Sequence, residues 1–343
     1  MSVTVRPFGS ISTGEEVKAY TITNDIGASC TLLDYGATIQ AVCVPNKDGG
    51  LTDVVLGYDT AAGYETGRGH LGGMIGRVGN RIGGARFSLN GKEYPLEKNN
   101  GEACLHSGFK SYDHYMWNAE IPGEYAVRFT RLSPDGEQGF PGNLEVSVTY
   151  TLTKEGADLR IDYDAVSDAD TLFAPTNHSY FDLSGCGRAM EQTLWLNAPR
   201  YLEIKAGTIP TGLAAIVAGT PFDFTLAKPI GQDINEDNEQ LRLANGYDHN
   251  FCIIDPHAAT RESAETGIRM ETYTSMPGVQ FYSGNGLGEQ VGKGGVLTHN
   301  RSAVCLETQL WPDGLNHWGF PTPILRKGEP AHSVTIYSFS VIK

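Results

Sequence analysis

Several short segments gather side chains that can bind hydroxyls and move protons. His178 lies in Phe173-Ala-Pro-Thr-Asn-His-Ser-Tyr-Phe-Asp-Leu-Ser-Gly185, a run dense in aromatics and hydroxyls. An imidazole in such partly apolar surroundings is poised to titrate near neutral pH. Glu307 sits between Leu306 and Thr308 in the segment Ala303–His317, directly after the strand-like run Val304-Cys-Leu306. Glutamate is depleted in strands, so this carboxylate must point outward, find a partner or do chemistry. Desolvation beside apolar surface would raise its basicity, as a general base requires. His106 follows Leu105 and leads into Ser107-Gly108; Asp248 opens Asp-His-Asn250, immediately before the apolar run Phe251-Cys-Ile-Ile254. Turn chemistry alone would also favour Asp there, and His106 could equally be a satisfied structural histidine. Asn80 and Arg81 belong to Gly76-Arg-Val-Gly-Asn-Arg-Ile82, where glycines let backbone approach a ligand; the competing reading is a solvated turn with surface arginines. Taken together, these groups describe a pocket for a polyhydroxylated neutral ligand. Planar polar groups would pair with hydroxyls and an aromatic face would take the C–H side.

The elements that must position these groups read as β-structure. Ala28–Leu33, Ala37–Val44 and Val54–Leu56 are short apolar runs separated by turns. Phe87–Tyr94 contains Asn90-Gly91, the pair a type I′ hairpin turn demands. Leu144–Leu152, Asp158–Val166 and Ser333–Val341 alternate at period two, as strands with one buried face do. Helix is expected only at Thr60–Glu65 and Asp233–Arg242. Without β-α-β alternation, a doubly wound sheet or TIM barrel does not fit. The expected architecture is all-β, a large antiparallel β-sandwich, as one domain over residues 1–343.

Composition narrows the function. The chain carries 26 Lys and Arg against 40 Asp and Glu, a net charge of -14. Nucleic-acid binding, which needs a basic face, and polybasic membrane attachment are disfavoured. Glycine is abundant, 42 of 343 residues, roughly 12 % against a usual ~7 %, in keeping with many tight turns. The scattered cysteines Cys30, Cys43, Cys104, Cys186, Cys252 and Cys305 form no C-x-x-C pair, and read as reduced, mostly buried thiols of a cytoplasmic protein. No signal peptide or run of ~18 apolar residues is evident. Gly67-Arg-Gly-His-Leu-Gly72 matches G-x-G-x-x-G, but no strand enters it and no helix leaves it, so a dinucleotide site is not expected. No histidines stand at metal-ligand spacing.

At these segments the sequence resembles the galactose mutarotase (aldose 1-epimerase) family. The likeness is carried by Gly76–Ile82, Leu105-His106, Thr176-Asn-His-Ser-Tyr-Phe181, Tyr247-Asp-His-Asn250 and Leu306-Glu-Thr-Gln309. Leu132-Ser-Pro-Asp-Gly-Glu-Gln-Gly-Phe-Pro-Gly-Asn143 and Gln280-Phe281 add to it. The order and approximate spacing agree from about residue 10 to the C-terminus. The resemblance implies a large antiparallel sandwich and interconversion of the anomers of free aldohexoses such as galactose and glucose. It implies Glu307 as general base and His178 as general acid, with Asn80, Arg81, His106, Asp248 and Gln280 binding the sugar. A protonated His178 is expected, favoured by Asp248 or Glu307 nearby. The partner is a small-molecule sugar, with no cofactor, metal, nucleic acid or membrane, and the protein is expected to be a monomer or weak homodimer. The sequence departs from the family at Ser107, where a second glycine is common, and at Asp182, where Asn is commoner. Asp182 should either raise a nearby histidine's pKa or face solvent. A hexose-6-phosphate epimerase on the same fold would need a cation cluster such as Arg68, Arg77 and Arg81. A non-catalytic sugar-binding module would lack the acid or the base.

Overall fold

The computed structural model describes residues 2–342, and the alternating runs of the sequence become antiparallel strands. Ser29–Leu33 and Thr38–Pro45 belong to a five-stranded meander that begins with Val3–Ser10 and ends with Leu51–Asp53. The period-two strands Leu144–Leu152, Ala157–Ser167 and Ala331–Val341 lie side by side in the middle of a nine-stranded sheet. A six-stranded sheet runs in the order Tyr180–Phe181, Val304–Gln309, Gly278–Tyr282, Asp248–Cys252, Arg200–Lys205 and Ile209–Ile216. The hairpin turns at Asn90 and Gly91, both in the left-handed region with φ of 52° and 76°, as the Asn-Gly pair requires.

The large sheets press their apolar faces together. Alternate residues of Ala157–Ser167 are buried, and Leu159, Ile161 and Tyr163 share one core with Phe251, Phe281, Leu306 and Tyr337. Tyr337 packs at a tilt against Phe181 with ring centroids 4.8 Å apart and donates its hydroxyl to the Leu306 carbonyl at 3.0 Å. Within the six-stranded sheet the strand Val304–Gln309 is covered on both faces, every one of its residues being buried. Glu307 therefore cannot point outward to bulk solvent, and its carboxylate must be accommodated inside the protein.

Helix is sparse. Ala61–Thr66 is capped by the Thr60 side chain. The second helix covers only Glu239–Ala244, capped by Asn238. Its expected N-terminal half, Asp233 to Asp237, forms turns instead, because Asn238 takes an extended conformation and its side chain accepts from Gln240 and Leu241. Among the described residues no helix is long and apolar enough to cross a membrane. All cysteines are free; Cys30, Cys104, Cys252 and Cys305 are buried and Cys186 is exposed.

Candidate active site

Strand register places the polar residues of the six-stranded sheet beside one another. Gln280 is the cross-strand partner of both Glu307 and Asn250, and Tyr282 is the partner of Asp248. Asp248 is the first residue of its strand, at the strand mouth its sequence position suggested. The short paired strands Arg81–Ile82 and Cys104–Leu105 and the residues flanking them bring Asn80, Arg81 and His106 to a cavity of about 170 Å³ that His178, Tyr180, Asp248, Tyr282 and Glu307 also line.

Glu307 and His178 meet at the cavity wall. Glu307 Oε1 lies 3.6 Å from His178 Nε2, both side chains are buried, and Glu307 Oε2 has no protein hydrogen-bond partner. A buried, unpartnered carboxylate oxygen is costly unless a ligand satisfies it. Burial, with a contribution from Asp248, pushes the Glu307 carboxyl well above its usual range. Burial also pushes His178 down to about 3, assisted by the neighbouring His70. The expected protonated His178 is thus corrected: a carboxylate does stand beside it, but loss of water outweighs the attraction. Both shifts favour the neutral forms of the pair, Glu307 as the acid and His178 as the base.

His106 has a defined tautomer. Its Nδ1 accepts the Asn80 backbone N–H at 3.1 Å, and burial holds the ring well below the ordinary imidazole range, so the neutral ring carries its proton on Nε2. Ser107 fixes the loop: its hydroxyl accepts from the Val78 N–H at 2.8 Å and lies 3.0 Å from the Val78 carbonyl, as a donor. Arg81 Nη1 lies 3.6 Å from Asp248 Oδ2 while its Nε donates to Asn100. Gln280 stands one layer behind the cavity. It donates to Asp248 Oδ1 at 2.6 Å and accepts from Gln309, which also bonds Asn250. Gln280 thus orients Asp248 and does not line the cavity, unlike the other residues the sequence pointed to.

Arg77 has a structural place. Its guanidinium is fully buried and donates to Ser133 and Thr171 hydroxyls and to the carbonyls of Ser133, Pro134, Pro141 and Gly142. The segment from Gly76 is thereby locked to the segment from Leu132. With Arg77 buried and Arg81 facing Asp248, only Arg68 of the supposed phosphate-binding trio is left; it lines a neighbouring cavity. Asp182 neither faces solvent nor touches a histidine. It is buried and accepts from Ser184, Gly187 and Gln192, organising the turn after Phe181.

The cavity is lined mainly by polar and aromatic side chains, and known proteins resemble this chain closely. The family model for aldose 1-epimerase matches residues 18–338. This chain belongs to the aldose 1-epimerase family. It is 40 % identical to galactose mutarotase of Mus musculus over 349 aligned positions, covering 99 % of each chain. It is 35 % identical to aldose 1-epimerase of Escherichia coli, over 95 % of this chain and 96 % of that one. The crystal structure of galactose 1-epimerase from Lactobacillus acidophilus superposes with a TM-score of 0.88 at 29 % identity, over 99 % of both chains. For an aldose 1-epimerase family member, this fold is the expected antiparallel sandwich.

Two features of the site escaped the sequence. His70 lines the same cavity; its only signal was a histidine between glycines inside the discarded G-x-G-x-x-G match. Donor atoms of His106, His178 and Glu307 lie within 4.8 Å of one another. These residues are far apart in sequence; their spacing alone would suit a divalent metal, but His106 offers no free lone pair, since its Nδ1 accepts the Asn80 N–H and its Nε2 carries the proton.

Proposed function

We propose that this protein interconverts the α and β anomers of free aldohexoses such as galactose and glucose by opening and reclosing the pyranose ring. The observation that carries this is the buried Glu307–His178 pair, 3.6 Å apart, on the wall of a cavity whose other polar groups are aimed at hydroxyls. Bound sugar supplies the partner that Glu307 Oε2 lacks. The shared proton moves to His178, leaving Glu307 as carboxylate and His178 as imidazolium. Glu307 takes the proton of the anomeric hydroxyl, and its O–H electrons form the C1=O1 double bond. The C1–O5 bond breaks, and O5 takes the proton from His178. C1 turns about C1–C2, His178 recovers the O5 proton as O5 attacks the other face, and Glu307 returns its proton to O1. No proton, electron or atom is gained or lost overall, so no cofactor is required.

Asn80, Arg81, His106 and Asp248 hold the remaining hydroxyls in this reading, with Gln280 fixing Asp248. Uncatalysed mutarotation is already fairly easy, so acid–base catalysis of roughly 10²–10⁴-fold per group is a large share of what is needed. The chain acts as one domain, in the cytoplasm, as a monomer or weak homodimer. Polarimetry of freshly dissolved α-galactose tests the reading: relaxation should quicken in proportion to enzyme, and a rate equal to buffer alone would overturn it. Glucose 6-phosphate should compete poorly with galactose, given the lost cation cluster and the net charge of -14.

A further inference from the structure

His70 is a titratable cavity residue that this mechanism leaves unused. Its Nδ1 lies 2.6 Å from Asp113 Oδ2, and the second oxygen of Asp113 lies 3.0 Å from His114 Nδ1. Asp113 is buried, while the His70 side chain keeps 29 % of its surface open. Its ring centroid is 5.1 Å from that of His106 and 5.9 Å from that of His178. Among the described residues no protein group hydrogen-bonds its Nε2. His70 is also held at φ 55°, in the left-handed region that side chains rarely adopt. Such strain persists only where surroundings enforce it, and it clusters at ligand sites. Burial works against a charged ring here, yet the Asp113 carboxylate outweighs it and holds His70 above the ordinary imidazole range.

Resting on the mutarotation reading, we propose that His70, aimed by Asp113, is a further sugar-contact residue. It takes a hydroxyl remote from the anomeric carbon. Glu307 and His178 occupy O1 and O5, so the ring that packs against His178 and His106 on its other side meets a hydroxyl elsewhere on the sugar. With Nδ1–H given to Asp113, Nε2 donates to that hydroxyl when the ring is charged and accepts from it when neutral. Asp113 is a positioning residue.

The test uses His70→Asn, which tolerates positive φ and keeps an amide near the Nδ1 position while removing Nε2. Galactose affinity by titration calorimetry should fall roughly tenfold to a hundredfold, the worth of one hydrogen bond to a charged group. KM should rise alike with kcat little changed, and His70→Gln should restore part of the loss. In wild type, one of 3-, 4- or 6-deoxygalactose should bind about as weakly as galactose binds the Asn variant. That variant should no longer distinguish this sugar from galactose. Unchanged affinity and an unchanged deoxy-sugar pattern would overturn the proposal. Loss of kcat without loss of affinity would also overturn it. If wild type binds galactose without interconverting its anomers, the mutarotation reading fails and the calorimetry still decides this one.

Discussion

Replacing Glu307 with Gln should separate activity from stability, in opposite directions. The substitution keeps size and planarity but removes the base. Positioned base catalysis is worth roughly 10²–10⁴-fold, so kcat for galactose should fall at least a hundredfold. The same carboxyl is buried with one oxygen unpartnered, and burial holds it well above its usual range. A group raised on folding stabilises fully below its unfolded value, near ~4.3 for Glu, and loses that contribution as pH rises toward its folded value. Gln carries no such loss. The variant should match wild type at pH 4 and become progressively more stable above it. Each tenfold displacement of the acid constant is worth ~1.4 kcal/mol. At an unfolding entropy of ~2.1 cal/mol/K per residue over 343 residues, that is roughly 2 °C. Polarimetry measures the first effect, and urea unfolding at pH 4 and pH 8 the second. Near-normal kcat would refute the base assignment. A Gln variant no more stable than wild type at pH 8 would refute the claim that burial raises Glu307.

Arg77→Ala should destabilise the fold by more than ~4 kcal/mol, because it strands buried carbonyls of Ser133, Pro134, Pro141 and Gly142; a loss below ~1 kcal/mol in urea would contradict its structural role. The pH profile of kcat/KM should be a broad bell. The pair gains a second proton only as pH falls toward the His178 value of about 3, and loses its only proton above the ordinary carboxylate range; an acid limb centred near pH 6.5 would contradict this.

Part of this site is legible in the sequence because Glu307 breaks a local rule. Glutamate inside an apolar strand is costly without a purpose, and Glu307 proved to face the cavity; Asp248 at a strand mouth broke no rule, since turn chemistry favours Asp there, yet it lines the same cavity. Arginine gave a weaker signal. Arg77 and Arg81 share one short glycine-rich segment, yet one is a buried strut and the other lines the cavity. Spacing cannot separate them, since Arg77's partners come from Leu132–Asn143 and beyond. His70 and Asp113 are 43 positions apart, and nothing local to either announces the pair. The proton balance was hidden too, because desolvation depends on sheets closing over both faces of Val304–Gln309.

The central claim is that the C1–O5 bond opens while O1 stays on C1. Galactose labelled with ¹⁸O at O1 tests it directly, by following the isotope-shifted C1 resonances of both anomers in the presence of enzyme. Exchange between α and β anomers should run at the enzymatic rate with the label retained. Loss of the label to water at the rate of anomer exchange would mean that C1–O1 breaks instead, and would contradict it.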